Sequence, residues 1–194
     1  MMCHPPNFSI ETSSALGAGI RAFGVRDFAA LCERVRVLPY GRVSATDDPL
    51  RVLREARGTC SSKHRLLAAV AHDCGHPEIQ LIVGIYEMSE ANTPGVGAAL
   101  ERARVASIPE AHCYLSVDGE RMDFTGLAAG TASPFEALIS EQVVDPGRLG
   151  PTKLDLHNRA LALWASRAGV SVETAWSIRE ACIAALARRG HATT

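Results

Sequence analysis

Aromatic residues make up only 5% of this 194-residue chain, and no stretch approaches the ~20 consecutive apolar residues that would span a bilayer. The opening segment, MMCHPPNFSIETSS, carries no basic region followed by an apolar run, so nothing in it resembles a secretory leader. A cytoplasmic protein is the expectation. Charge of one sign is equally scarce. Twenty Lys and Arg against 21 Asp and Glu leave a formal net charge of −1, which provides no global field for drawing in nucleic acid or an anionic membrane surface. Partners must therefore be argued from local sites. Internal repeats and low-complexity tracts are absent, and the six cysteines (Cys3, Cys32, Cys60, Cys74, Cys113, Cys182) include no CxxC pair. That spacing suggests neither a disulfide scaffold nor a standard zinc module. What remains is ordinary: 47% hydrophobic and 21% charged residues, enough to bury a core in one domain or in one domain with an appendage.

Periodicity supplies the elements. Helices are expected at about 25–37 and 47–56, with a stronger one from Cys60 to Cys74 that ends at Gly75. IQLIVGIYEM at 79–88 is a β-branched apolar run and reads as a central strand, and a short helix is expected at about 95–105. AHCYLSVDGERMDFTG reads as a hairpin turning at Asp118-Gly119, because both positions of a two-residue turn need positive φ. A loop follows at 125–133, SPFEALISEQVV is expected to be helical, and DPGRLGP marks a linker. Two amphipathic helices at about 152–168 and 172–188 complete the chain. The expected domains are 1–150, carrying the chemistry, and 151–194, a helical hairpin packed on it.

The segment RGTCSSKH, at 57–64, sets a cysteine where a loop turns into a helix. At 100° per residue Cys60 shares its direction with Leu67, Ala71 and Cys74, so it heads the apolar stripe that faces the core. With Thr59 as N-cap, a thiol in the first turn feels unpaired N–H groups and the positive end of the helix dipole, both of which favour thiolate. A thiolate nucleophile also needs a base, and the base needs an orienting acceptor. The hairpin offers both. With a two-residue turn, Val117 faces Glu120, Tyr114 faces Asp123 and His112 faces Thr125. His112 and Asp123 are then diagonal neighbours on one face, their Cα atoms ~7–8 Å apart. Cys32, Cys74 and Cys182 lie in helix-like apolar patterns and read as small buried hydrophobes.

The order GTCSSKHRLLAAVA, apolar strand, EAHCYLSVDGERMDFTG resembles the transglutaminase-like superfamily, whose core places Cys at a helix start, His on a following strand and Asp on the next. The resemblance covers residues 58–126. It implies an α+β fold of papain-like type, with the Cys helix packed on an antiparallel sheet and with flanking N- and C-terminal helices. It also implies a Cys60–His112–Asp123 triad with no cofactor or metal, acting on a peptide, amide or other acyl substrate through a thioester. Hydrolase and acyltransferase remain open, as does the oligomeric state. The chain departs from the pattern in having GERMD where many members carry a Trp before the Asp, and in placing Lys63 and His64 one turn after the cysteine.

Four further residues are candidates for the site. Tyr40, ahead of the Cys helix, is a candidate oxyanion donor. His64, on the Cys60 face, is a candidate pocket residue or alternative base, and Asn92 and Glu110 are candidate substrate contacts that could equally satisfy loop backbone. Rival classes are an inactive transglutaminase-like binding module, a metal site drawing on Cys60, His64, His72, Cys74 and His76, and a helix-turn-helix in ASRAGVSVETAWSIREACIAAL. The first metal pair lacks a completing cluster, and the would-be recognition helix is too apolar and neutral for a DNA groove. A helical hairpin with Gly169 ending one helix and Ser171 capping the next explains that cadence more simply.

Overall fold

The computed structural model describes residues 5–44, 47–126 and 134–190. Among these the fold is α+β, with seven α-helices and a four-stranded antiparallel sheet in the order β3-β2-β1-β4. The strands are β1 (Gln80–Met88), β2 (Ile108–Val117), β3 (Glu120–Met122) and β4 (Leu138–Val143). β1 lies between β2 and β4 and is buried from Leu81 to Tyr86, so its continuous apolar run is that of a central strand. β2 and β3 pair in the expected register, Val117↔Glu120 through Leu115↔Met122. The turn residues Asp118 and Gly119 have φ of 51° and 83°, as a two-residue hairpin turn requires.

By contacts the chain divides into two interleaved units. The first comprises Met1–Ile82, Cys113–Leu127 and Val143–Leu149; the second comprises Val83–His112, Ala128–Gln142 and Gly150–Thr194.

In the first unit, helices α1 (Ala15–Ala22), α2 (Phe28–Val37) and α3 (Arg51–Arg54) each pack against α4 (Cys60–Asp73). Their inward faces supply Ile20, Phe28, Leu31, Val35, Val52 and Leu53, and α4 answers with Leu66, Leu67, Val70 and Ala71, all buried. At ~25 cal/mol per Å² of apolar surface removed from water, this packing is what makes helices as short as α1 and α3 worth forming. Each helix start is also capped by a side chain where the sequence offers one: Ser14 for α1, Asp27 for α2 and Thr59 for α4.

The second unit holds α5 (Gly97–Ala103), α6 (Leu149–Ala168, from Gly150 onward) and α7 (Val172–Gly190). Its core is Tyr86, Met88, Val96, Leu100, Ile108, Leu161, Ala165, Ala175 and Cys182. Gly169 adopts φ 69° and the Ser171 hydroxyl accepts from the Thr174 N–H at 3.1 Å, so α6 and α7 form the capped helical hairpin expected of that cadence. By contacts Gly150–Thr194 group with Val83–His112 and Ala128–Gln142.

Two expectations are corrected. SPFEALISEQVV is not a helix: Pro134–Ala137 make one 3-10 turn and Leu138–Val143 form strand β4. The second edge of β1 needs backbone partners, and that demand outweighs the weak helical preference of the segment. DPGRLGP is not a linker either. Asp145 caps a 3-10 turn, its Oδ1 accepting from the Gly147 N–H at 2.7 Å, and α6 already starts at Leu149. Pro151 sits in the first helical turn, where the N–H it lacks has no intrahelical partner to lose. Of the loop expected at 125–133, residues 127–133 lie outside the described residues. Among the described residues no helix is long and apolar enough to cross a membrane.

Candidate active site

Cys60 is the first residue of α4, and Thr59 before it closes a reciprocal capping box with Ser62. The Thr59 N–H donates to Ser62 Oγ at 2.9 Å, and the Ser62 N–H donates to Thr59 Oγ1 at 3.4 Å. The entry to this turn is fixed from the other side by the chain around Tyr40. Tyr40 pairs with Gly58 in a parallel bridge, with the Gly58 N–H on the Pro39 carbonyl at 3.1 Å and the Gly41 N–H on the Gly58 carbonyl at 3.3 Å. Cys60 therefore stands on a helix start pinned at both ends, with only 6% of its surface exposed. The side chain of Tyr40 is 57% exposed. Next to Cys60, the Ser61 hydroxyl lies 3.9 Å from Cys60 Sγ and 3.4 Å from Cys113 Sγ, so two thiols share one hydroxyl neighbour.

His64 is fully buried, and its hydrogen bonds assign its tautomer. The Phe124 N–H donates to Nε2 at 2.8 Å, so Nε2 is the unprotonated nitrogen, and Nδ1–H donates to the Cys60 carbonyl at 2.8 Å. One neutral imidazole thus ties the backbone of the nucleophile candidate to the backbone beside Asp123. Asp123 Oδ1 approaches Nε2 at 3.5 Å, but that nitrogen has no proton to offer. The carboxylate is instead held by the Thr125 N–H at 2.8 Å in an Asx-type turn. His64, expected as a pocket residue or alternative base, is fully buried with these bonds. It is a brace, with both ring nitrogens spent on backbone.

Lys63 is fully buried as well. Its Nζ donates to the Leu38 carbonyl at 2.6 Å and to the Thr125 carbonyl at 2.9 Å. Burial lowers its pKa to about 8, and the nearby acidic groups Asp123 and Cys60 pull the other way. Cys60, Lys63, His64 and Asp123 accordingly converge on the first turns of α4 within the first unit.

His112, Glu110 and Asn92 belong to the second unit. His112 lies on β2, its ring 6.3 Å from Tyr86 edge-on and 6.4 Å from Phe135. Glu110, expected as a substrate contact, is 7% exposed and receives a two-pronged bond from Arg179 of α7, Nε–Oε2 at 2.6 Å and Nη2–Oε1 at 2.7 Å. A buried carboxylate is retained when such a fork satisfies both oxygens. Asn92 closes its own loop: its Oδ1 accepts from the Ser89 N–H at 3.0 Å and its Nδ2 donates to the Glu87 carbonyl at 2.8 Å. Both residues, expected as substrate contacts, are thus engaged within the chain. Sequence reasoning missed the Glu110–Arg179 pair because its partners are 69 positions apart, and the one available signal was a lone acid amid the apolar residues of β2.

Among the described residues no three His, Cys, Asp or Glu side chains gather to hold a metal ion. His76 is stacked on Phe8 at 3.7 Å between centroids and bonded to Glu78 at 2.8 Å. Cys32, Cys60, Cys74, Cys113 and Cys182 are free thiols, and burial raises the pKa values of Cys32, Cys74 and Cys182. Compared with family models, with curated proteins and with solved structures, the chain matches none.

Proposed function

We propose that this chain is a cysteine-dependent acyl-transfer enzyme on a transglutaminase-like core, with Cys60 as nucleophile, His112 as general base and acid, and Asp123 as the orienting acid. The observation that carries the reading is the helix start. Cys60 occupies the first position of a capped 14-residue helix, and the His64 imidazole holds the Asp123–Phe124 backbone to the carbonyl of Cys60 itself. The reading also needs a hairpin that turns at Asp118-Gly119, and β2 and β3 pair in that register. His64 could act as the base only by giving up a backbone bond, which favours His112 for that role.

In the reaction the Cys60 thiol passes its proton to His112, and the thiolate adds to an amide or ester carbonyl. N–H groups at the helix start and a side-chain donor, for which Tyr40 is the candidate, receive the oxyanion. The imidazolium of His112 protonates the leaving amine or alcohol as the C–N or C–O bond breaks, leaving a thioester on Cys60. Water or a second amine then attacks that thioester with His112 again taking the proton, giving hydrolysis or acyl exchange. No cofactor enters the scheme, and free thiols suit a reducing, cytoplasmic setting.

A panel of peptide amides, glutamine donors and acyl thioesters with intact-mass detection tests the proposal. An acyl adduct on Cys60 that is lost in Cys60→Ala, and whose formation slows at least tenfold in His112→Ala and Asp123→Asn, is the expected result. Brief iodoacetamide labelling should also map to Cys60 ahead of Cys32, Cys74, Cys113 and Cys182 at neutral pH. Absence of any adduct, with Cys60 the slowest thiol of the folded protein, refutes it.

A further inference from the structure

We infer that Lys63 is a positioning residue of the site proposed above: its buried ammonium ties the loop carrying Asp123 to the first turns of α4 and sets a positive charge beside Cys60. The inference rests on the acyl-transfer reading and deepens it. Three stretches of backbone form a collar around this one side chain. At Gly58 a Cβ would stand 2.8 Å from Lys63 Cγ, so only a glycine leaves room for the stem. The head bonds to the carbonyls of Leu38 and Thr125. At Gly126, with φ 82°, a Cβ would stand 2.3 Å from the Arg36 carbonyl and 3.8 Å from Nζ, so the segment after β3 can run past the ammonium here only as glycine.

Such a collar is an expensive way to fill space. Two carbonyl dipoles only partly replace the hydration of an ammonium, and a methionine of similar length would occupy the site without that penalty. What the charge adds is its effect on neighbours. Cys60 and Lys63 are i, i+3 on α4, with Cβ atoms ~5–6 Å apart. Asp123 and Cys60 are the acidic groups that act on the ammonium and favour its charged form. That coupling is reciprocal, so the ammonium favours the thiolate of Cys60 and the carboxylate of Asp123. Of the other charged or titratable groups near this turn, His64 is held neutral between two backbone groups, the Arg36 guanidinium of α2 is bonded to Glu33, the Arg57 guanidinium is bonded to Glu55, and the Cys113 thiol lies on the Ser61 hydroxyl.

The test compares wild type with Lys63→Met, which keeps the length without charge or donors, and Lys63→Gln, which keeps donors without charge. Rates of Cys60 alkylation by iodoacetamide are mapped from pH 5 to pH 9.5, with Cys74 as the internal control and circular dichroism to establish folding. A unit charge ~6–12 Å away at an effective dielectric constant of ~20 moves a titration by about one to two pH units. Both variants should therefore label Cys60 at least tenfold more slowly at pH 7, with the rise of the profile displaced upward, while Cys74 is unchanged. Lys63→Arg should recover part of the rate if its larger head is accommodated. A Cys60 profile identical to wild type in either folded neutral variant overturns the inference, and so does failure of both to fold, which would assign Lys63 to the fold alone. The two readings fail separately. If wild-type Cys60 forms no acyl adduct the acyl-transfer reading falls, while the wild-type and variant profiles still report whether the ammonium acts on the thiol.

Discussion

Replacing His64 separates a brace from a base. In His64→Leu the Phe124 N–H loses its acceptor in an interior where the imidazole is fully buried, whereas the Cys60 carbonyl loses only its second donor, since it also accepts the helical bond from the residue 64 N–H. Leaving one buried backbone group unsatisfied costs about 1–3 kcal/mol. For a chain of this size that lowers Tm by about 2–12 °C. His64→Gln keeps an acceptor near the Nε2 position and should lose least, whereas His64→Asn keeps only a donor near the Nδ1 position and should fall closer to Leu. Thermal unfolding followed by circular dichroism gives the ranking, and Cys60 labelling against pH gives the chemistry. A brace predicts a large fall in Tm for Leu and a Cys60 profile that stays in place for Asn once the protein is folded. If His64→Leu melts within about 2 °C of wild type, or if His64→Asn moves the Cys60 profile upward by a full pH unit with an unchanged Tm, the brace argument is wrong.

The sequence reading went furthest where the physics is local. Thr59, Cys60 and Gly75 mark both ends of α4, and Asp118-Gly119 sets the β2–β3 register, because caps and two-residue turns are decided by a few adjacent residues. It fell short wherever a distant segment imposes the conformation. LISEQV is a strand because β1 has a second edge to satisfy, and nothing inside those six residues says so. Helix α1 went unseen because its glycines, at 17 and 19, each cost about 1 kcal/mol of helix propensity; a side chain at 17 would meet the Glu11 carbonyl at 2.0 Å. The site divides in the same way. Cys60 at the first helical position is local and was readable, whereas Asp123, read as a strand residue, lies past the end of β3 in a turn closed by the Thr125 N–H. The bracing bonds of His64 were not legible, since the Phe124 N–H that engages it comes from 60 positions away. Lys63 stood out in the sequence only as a departure from the family pattern, and its burial follows from the collar formed by residues 36–38, 58 and 125–126, which lie far from it in sequence or on other elements.

Two further outcomes follow from the second unit. His157 is buried and neutral, donating Nε2–H to the Pro109 carbonyl at 3.0 Å, and burial lowers its pKa below the ordinary ~6.5. The unfolded chain then binds this proton more readily than the folded one, so stability should be lost as pH falls from about 6.5 toward the folded value, by at most ~1.4 kcal/mol per pH unit. His157→Gln should flatten that part of the Tm profile, and an unchanged slope refutes the assignment. The Glu110–Arg179 fork invites a double-mutant cycle, because its sign tells a structural pair from two independent residues. Arg179→Met strands a buried carboxylate and should cost about 3–5 kcal/mol, whereas adding Glu110→Gln removes the stranded charge and should recover part of that loss. His157 stands 3.9 Å from the same Glu110 oxygen and can shelter the lone carboxylate in acid, so the cycle belongs at pH 7.5 or above, where the imidazole is uncharged. If the double variant melts no higher than Arg179→Met alone, the carboxylate was never stranded. Glu110 would then return to the list of residues that face a ligand.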